Sequence, residues 1–131
     1  MKTLRMIALA GLFAAPLSMA DVVVIAHPNG PDNLSENDVR DLYLNRSNAA
    51  TPFEIAKGSD VRREFHDWIT GRSNSQLQSF WAEQTFTGEG QPPAEVSDSA
   101  RMVDEVAATP NSVGYADPAD VDDSVEVILT P

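Results

Sequence analysis

The sequence predicts one α/β domain, a three-layer sandwich of helices around a mostly parallel sheet. Three observations lead there. Short β-branched runs alternate along the chain with segments of helical periodicity, the pattern of strands joined by crossover helices. The chain has 131 residues, enough for one domain and too few for two ordinary ones. Its composition, 42% hydrophobic and 22% charged, is that of a globular protein.

Lys2 and Arg5 open the chain, the apolar run Met6 to Leu17 follows, and Ser18-Met19-Ala20 offers the small residues of a cleavage site before Asp21. That run is shorter than the roughly 20 apolar residues a membrane span needs. Residues 1–20 are therefore read as a secretion signal peptide. Residues 21–131 are the mature domain, expected in the periplasm or outside the cell, with no membrane insertion after signal removal.

The mature segment begins with Val22-Val23-Val24-Ile25-Ala26, a continuous apolar run suited to a strand buried on both faces. His27-Pro28-Asn29-Gly30-Pro31 breaks it into a loop. Ser35 is a preferred helix cap with Asp38 three residues on, and Val39, Leu42 and Tyr43 form the inward stripe. Asn45 to Asn48 ends that helix, and Phe53 to Ala56 reads as a short strand. Gly58 and Ser59 then turn the chain into a second helix carrying Val61, Phe65, Trp68 and Ile69 at helical spacing, stopped by Gly71. Ser73 or Ser75 starts a third, with Leu77, Phe80 and Trp81 on one face. The aromatic stripes Phe65, Trp68, Phe80 and Trp81 are expected in the core. Thr87 to Pro93 reads as a rigid loop, Ser99 to Ala108 as a fourth helix, and Val113 to Ala116 and Val125 to Leu129 as the last strands.

Charge and residue inventory exclude several functions. The formal net charge is −11, and the 111 residues after the leader hold seven Lys or Arg against twenty Asp or Glu, a net −13. Such a surface repels nucleic acid and anionic lipid. With no cysteine, thiol catalysis, disulfides and Cys-ligated metals are excluded. No nucleophile elbow, Walker loop or His-Glu-x-x-His is present, so no enzyme activity and no cofactor are expected. His66 has no partner at zinc spacing. Asp117, Asp120, Asp122 and Asp123 lack the glycine and terminal glutamate of a calcium loop, so no metal is expected.

Ligands of open α/β sheets gather beyond the carboxyl ends of the strands. Three segments are expected to meet there: His27-Pro28-Asn29, Gly58 to Arg62, and Ala116-Asp117. The middle one is the candidate anion site. Free N–H groups and the helix dipole at a Ser-capped start suit phosphate, sulfate or carboxylate. Gly58, Ser59, Asp60 and Val61 form the turn and first helical positions, and Lys57 or Arg62 would supply countercharge. His27 and Asn29 are candidate rim residues. Against the site stand Asp60, which already complements the dipole, and the reading of Ser59 as a plain cap.

Nearly all of residues 21–131 resembles the phosphate-binding proteins of phosphate ABC transporters, and more closely their short secreted single-lobe relatives. The residues that carry this are Leu34-Ser35 leading to Asp41-Leu42-Tyr43-Leu44, Gly58-Ser59 followed by Arg62 and Phe65, Phe80-Trp81, Phe86-Thr87-Gly88-x-Gly90-Gln91-Pro92-Pro93, and Val106-Ala107-x-x-Pro110-x-x-Val113-Gly114-Tyr115. The resemblance implies a single lobe of a type 2 periplasmic binding protein, taking phosphate or a similar oxyanion in connection with ABC-type uptake. In that family a Ser-Gly-Thr at this helix start and an upstream Arg hold phosphate. Here Ser59 matches the Ser, Asp60 and Val61 replace the Gly and Thr, and Ile55 stands near the Arg position. It also implies that a second copy or another periplasmic protein supplies the other side of the cleft. The competing expectation is a periplasmic protein-interaction module that kept the fold and lost the ligand.

Overall fold

A computed structural model describes residues 21–131; the expected signal peptide lies outside the described residues. In chain order the elements are β1 (Val23–Ala26), α1 (Glu36–Tyr43), β2 (Thr51–Ile55), α2 (Asp60–Ile69), α3 (Asn74–Phe86), β3 (Ala94–Val96), α4 (Ser99–Ala108), β4 (Ser112–Ala116) and β5 (Glu126–Leu129). A single 3-10 turn, Pro118–Asp120, separates the last two. The described strands form one sheet in the order β3-β2-β4-β1-β5. β2 runs parallel to β3 and β4, while β1 is antiparallel to both β4 and β5. Four strands therefore point one way and β1 alone points against them, which makes the sheet mostly parallel as expected.

Alternation along β4 sets the three layers. Tyr115 faces α1 and α2: its ring stacks on Phe65 at 4.0 Å and lies 6.1 Å from that of Tyr43. Gly114 faces the opposite way, against α4. A Cβ there would collide with Met102 and lie 3.0 Å from Val106 Cγ2, so glycine is what lets the helix approach the strand this closely. β1 is buried along its whole length, in agreement with its uninterrupted apolar sequence.

The helix starts follow the capping residues. Ser35 and Asp38 form a reciprocal capping box, Ser59 caps α2, Ser73 pairs with Gln76 in a second box, and Asp98 caps α4. Gly71 and Gly88 take positive φ just past α2 and α3, where the chain must leave the helix. Ser73, not Ser75, begins α3.

Two expectations change. The sequence assigns no element between the Thr87–Pro93 loop and the helix at Ser99, where the structure has β3. Its Ala-Glu-Val is too short and too exposed to leave a periodic trace, and it forms because β2 offers a parallel edge beside it. The aromatic stripes also divide. Phe65 is fully buried and Trp68 packs against the core, but Phe80 and Trp81 remain partly exposed and Phe86 is 90% exposed. Leu77 is the one buried residue of α3. That helix lies on the domain rather than in it.

Candidate functional site

Strand direction decides which loops can share a site. β1 runs against β2 and β4, so its carboxyl end lies at their amino ends. His27 N–H accordingly donates to Ser112 O at 3.1 Å, at the beginning of β4. His27 Nδ1 accepts the Asn29 N–H at 2.9 Å, so the loop is closed on itself. The expected rim of His27 and Asn29 is thus at the wrong edge of the sheet for the Ser59 turn. The sequence of β1 identifies a buried strand but carries no sign of its direction.

At the other edge, β2 ends at Ile55 and the chain turns through Gly58, which takes φ +93 with open space where a Cβ would stand. Ser59 Oγ accepts the Arg62 N–H at 3.2 Å, which leaves the hydroxyl proton free to donate outward. Among the described residues, the N–H groups of Asp60 and Val61 have no acceptor. Ser59 Oγ and these two amides are therefore the donors that an anion would meet. The Asp60 carboxylate is turned aside by Arg63, which binds it at 2.7 Å on the exposed face of the helix. That contact raises the Arg63 pKa and offsets the negative charge nearest the amides. The Val61 side chain packs against the core.

Of the two expected countercharges, Arg62 is held within the fold. Arg62 is 5% exposed. Its guanidinium donates to Ile55 O at 2.8 Å, to Asn74 Oδ1 at 3.2 Å and to Glu95 Oε2 at 3.2 Å. Through Nε and Nη1 it ties the end of β2 to α3 and β3. Arg62 is corrected from an anion ligand to a structural bridge. Lys57 is among the residues lining a pocket beside α3.

A buried polar network lies beneath the α2 helix, and the sequence reading did not include it. Glu54 is 4% exposed and His66 1%. His66 Nε2 lies 2.9 and 3.0 Å from the two Glu54 oxygens, and Tyr115 OH donates to the same carboxylate. Tyr115 OH also accepts the Ile55 N–H at 2.9 Å, and Tyr43 OH donates to Phe53 O at 2.6 Å. Thr70 Oγ1 lies 3.0 Å from His66 Nδ1 and 3.2 Å from His66 O. Its hydroxyl rotates to serve either, so Nδ1 is satisfied with or without a proton. All these polar groups are paired and, apart from the half-buried Thr70, shut away from solvent, which makes the network a structural one. The available signal was a charged residue inside the otherwise apolar Phe53-Glu54-Ile55 run, since a buried carboxylate needs a partner.

Burial raises the pKa of both tyrosines above the ordinary range, and the Glu54 charge adds to it. The folded state thus favours neutral phenols, while unfolded tyrosine ionises near about 10. Their contribution is complete below that pH and is lost as pH rises above it. Because these are the chain's two tyrosines, tyrosinate absorbance reports on this network alone. We expect it to stay silent above pH 10 and then appear together with loss of circular dichroism. Ionisation near pH 10 in a still-folded protein would contradict the burial.

No profile of a known protein family and no curated protein matches the sequence. Solved structures do. One from Clostridium perfringens, described as a phosphate ABC transporter substrate-binding protein with bound phosphate, is 22% identical, with a TM-score of 0.63 over 83% of this chain and 44% of its own. An ABC-type phosphate transport receptor from Vibrio cholerae is 15% identical, with a TM-score of 0.65 over 83% and 45%. PstS from Borrelia burgdorferi is 10% identical, with a TM-score of 0.62 over 83% and 46%. The chain spans less than half the length of each. With its mixed five-stranded sheet and flanking helices, the protein has the fold of one lobe of a type 2 periplasmic binding protein.

Proposed function

We propose that the domain is a periplasmic, single-lobe binding protein that holds phosphate or a similar oxyanion at the start of α2, in connection with ABC-type uptake. The observation that carries this reading is the set of three donors at the carboxyl edge of the sheet: the Ser59 hydroxyl and the unpaired Asp60 and Val61 amides. Amides at a helix start together with the dipole favour an anion. The phosphate bound in the Clostridium perfringens structure supports the choice of ligand. Export is assigned to residues 1–20, and no metal or cofactor is needed. No helix among the described residues is long and apolar enough to cross a membrane.

On one open face the anion keeps part of its hydration shell, so affinity for the isolated domain is on the order of millimolar, near −4 kcal/mol. Tight binding requires a second surface over the site, supplied by a second copy or another periplasmic protein. Isothermal titration with phosphate, sulfate and acetate tests the reading. Ser59→Ala is expected to weaken phosphate and to cost about 1 kcal/mol of stability through the lost cap. Asp60→Asn, which removes a like charge beside the amides, is expected to tighten it about two- to fivefold. Equal phosphate binding by wild type and Ser59→Ala would refute the assignment.

A further inference from the structure

Leu77, the Arg62–Asn74 contact and the Asn45–Gln84 hydrogen bond attach α3 to the domain, and a pocket of about 530 Å³ opens beside it toward β3. Sites for small organic ligands span roughly 300–1,000 Å³ and combine apolar walls with few polar groups. This pocket has that make-up. Leu77, Trp81, Phe86 and Pro92 supply the walls, and Phe86 stands 90% exposed, a large apolar surface left without an internal partner. Of the charged groups lining it, Arg62 and Glu95 cancel each other at 3.2 Å. Lys57 has no acidic partner among the described residues. The pocket thus carries one uncompensated positive charge in a domain of net −13.

We propose that this pocket binds a small amphipathic carboxylate, its hydrocarbon body among Leu77, Trp81, Phe86 and Pro92 and its carboxylate on Lys57. An inorganic oxyanion gains nothing from the apolar walls, and a neutral hydrocarbon leaves Lys57 unused. A ligand with both parts uses both. Ser59 and the free amides of α2 do not line the pocket, so this site is separate from the oxyanion site and stands or falls independently of it.

Trp81 is a built-in reporter, because the other tryptophan, Trp68, donates to Glu36 and is not part of the pocket wall. The test is a fluorescence titration of the Trp68→Phe protein with octanoate, with octanol as the neutral control. A saturable Trp81 response is expected for octanoate, at least fivefold tighter than for octanol. Lys57→Gln is expected to reduce octanoate to the octanol level, Phe86→Ser to weaken both ligands alike, and Ser59→Ala to change neither. Circular dichroism of each variant establishes that it is folded. The proposal is overturned by the absence of a saturable response, by equal affinity for octanol and octanoate, or by an unchanged Lys57→Gln protein. It is also overturned if phosphate displaces octanoate one for one, or if a concentration-dependent dimer accounts for the Trp81 change.

Discussion

Glu54→Leu is expected to destabilise the domain by about 2–5 kcal/mol, because it strips the shared acceptor from two buried polar groups, at about 1–3 kcal/mol for each group left unmet. The substitution leaves His66 Nε2 and Tyr115 OH facing an apolar side chain in a region closed to water. Small domains have about 5–15 kcal/mol in all, so the loss brings this one close to unfolding, with Tm lower by on the order of 10–20 °C. Pairing the change with His66→Phe is expected to recover much of the loss, because an apolar pair leaves fewer unmet groups. A double-mutant cycle by urea unfolding measures that coupling. A loss under about 1 kcal/mol for Glu54→Leu would mean that the network does little for the fold.

The second large effect is expected at Arg62. Arg62→Met keeps the apolar stem but removes the donors to Ile55 O, Asn74 and Glu95. Hydrogen bonds from a charged group contribute about 1.5–3 kcal/mol each, with strong non-additivity, so a net loss of about 2–4 kcal/mol is expected. The consequence is uneven across the fold. With one buried residue in α3, loss of the Asn74 contact is expected to speed amide hydrogen exchange along α3 more than in β1 or β4. Phosphate affinity of the folded fraction should not change, because Arg62 is buried and its guanidinium is engaged by Ile55 O, Asn74 and Glu95. Unaltered stability with lost phosphate binding would reverse this assignment and make Arg62 the anion's countercharge.

These two residues also mark how far the sequence could be read. Helix starts were legible because Ser35, Ser59 and Ser73 act locally, through hydrogen bonds to the amide three residues on. β1 and β4 were legible because burial on both faces demands uninterrupted apolar residues. The direction of β1 was not, since a strand has the same composition whichever way it runs, and that single reversal removed His27 and Asn29 from the site. The role of Arg62 was hidden for a related reason. A cation three positions into a helix reads as a solvated group or an anion ligand, and only the arrival of Glu95, thirty-three residues later, defines its partner. Phe80 and Trp81 were assigned to the core by residue type. Their exposure follows from the placement of α3 at the margin of the domain, beside an edge strand whose three residues gave no signal.

The central claim is that the start of α2 is an anion site built from backbone amides and one hydroxyl. Amide-resolved NMR during a phosphate titration tests it most directly. The prediction is a saturable shift on the order of millimolar in phosphate, largest at Asp60 and Val61, diminished in Ser59→Ala and absent from the His27–Asn29 loop. Unsaturated shifts spread over the surface, or Asp60 and Val61 amides that do not move, would contradict it.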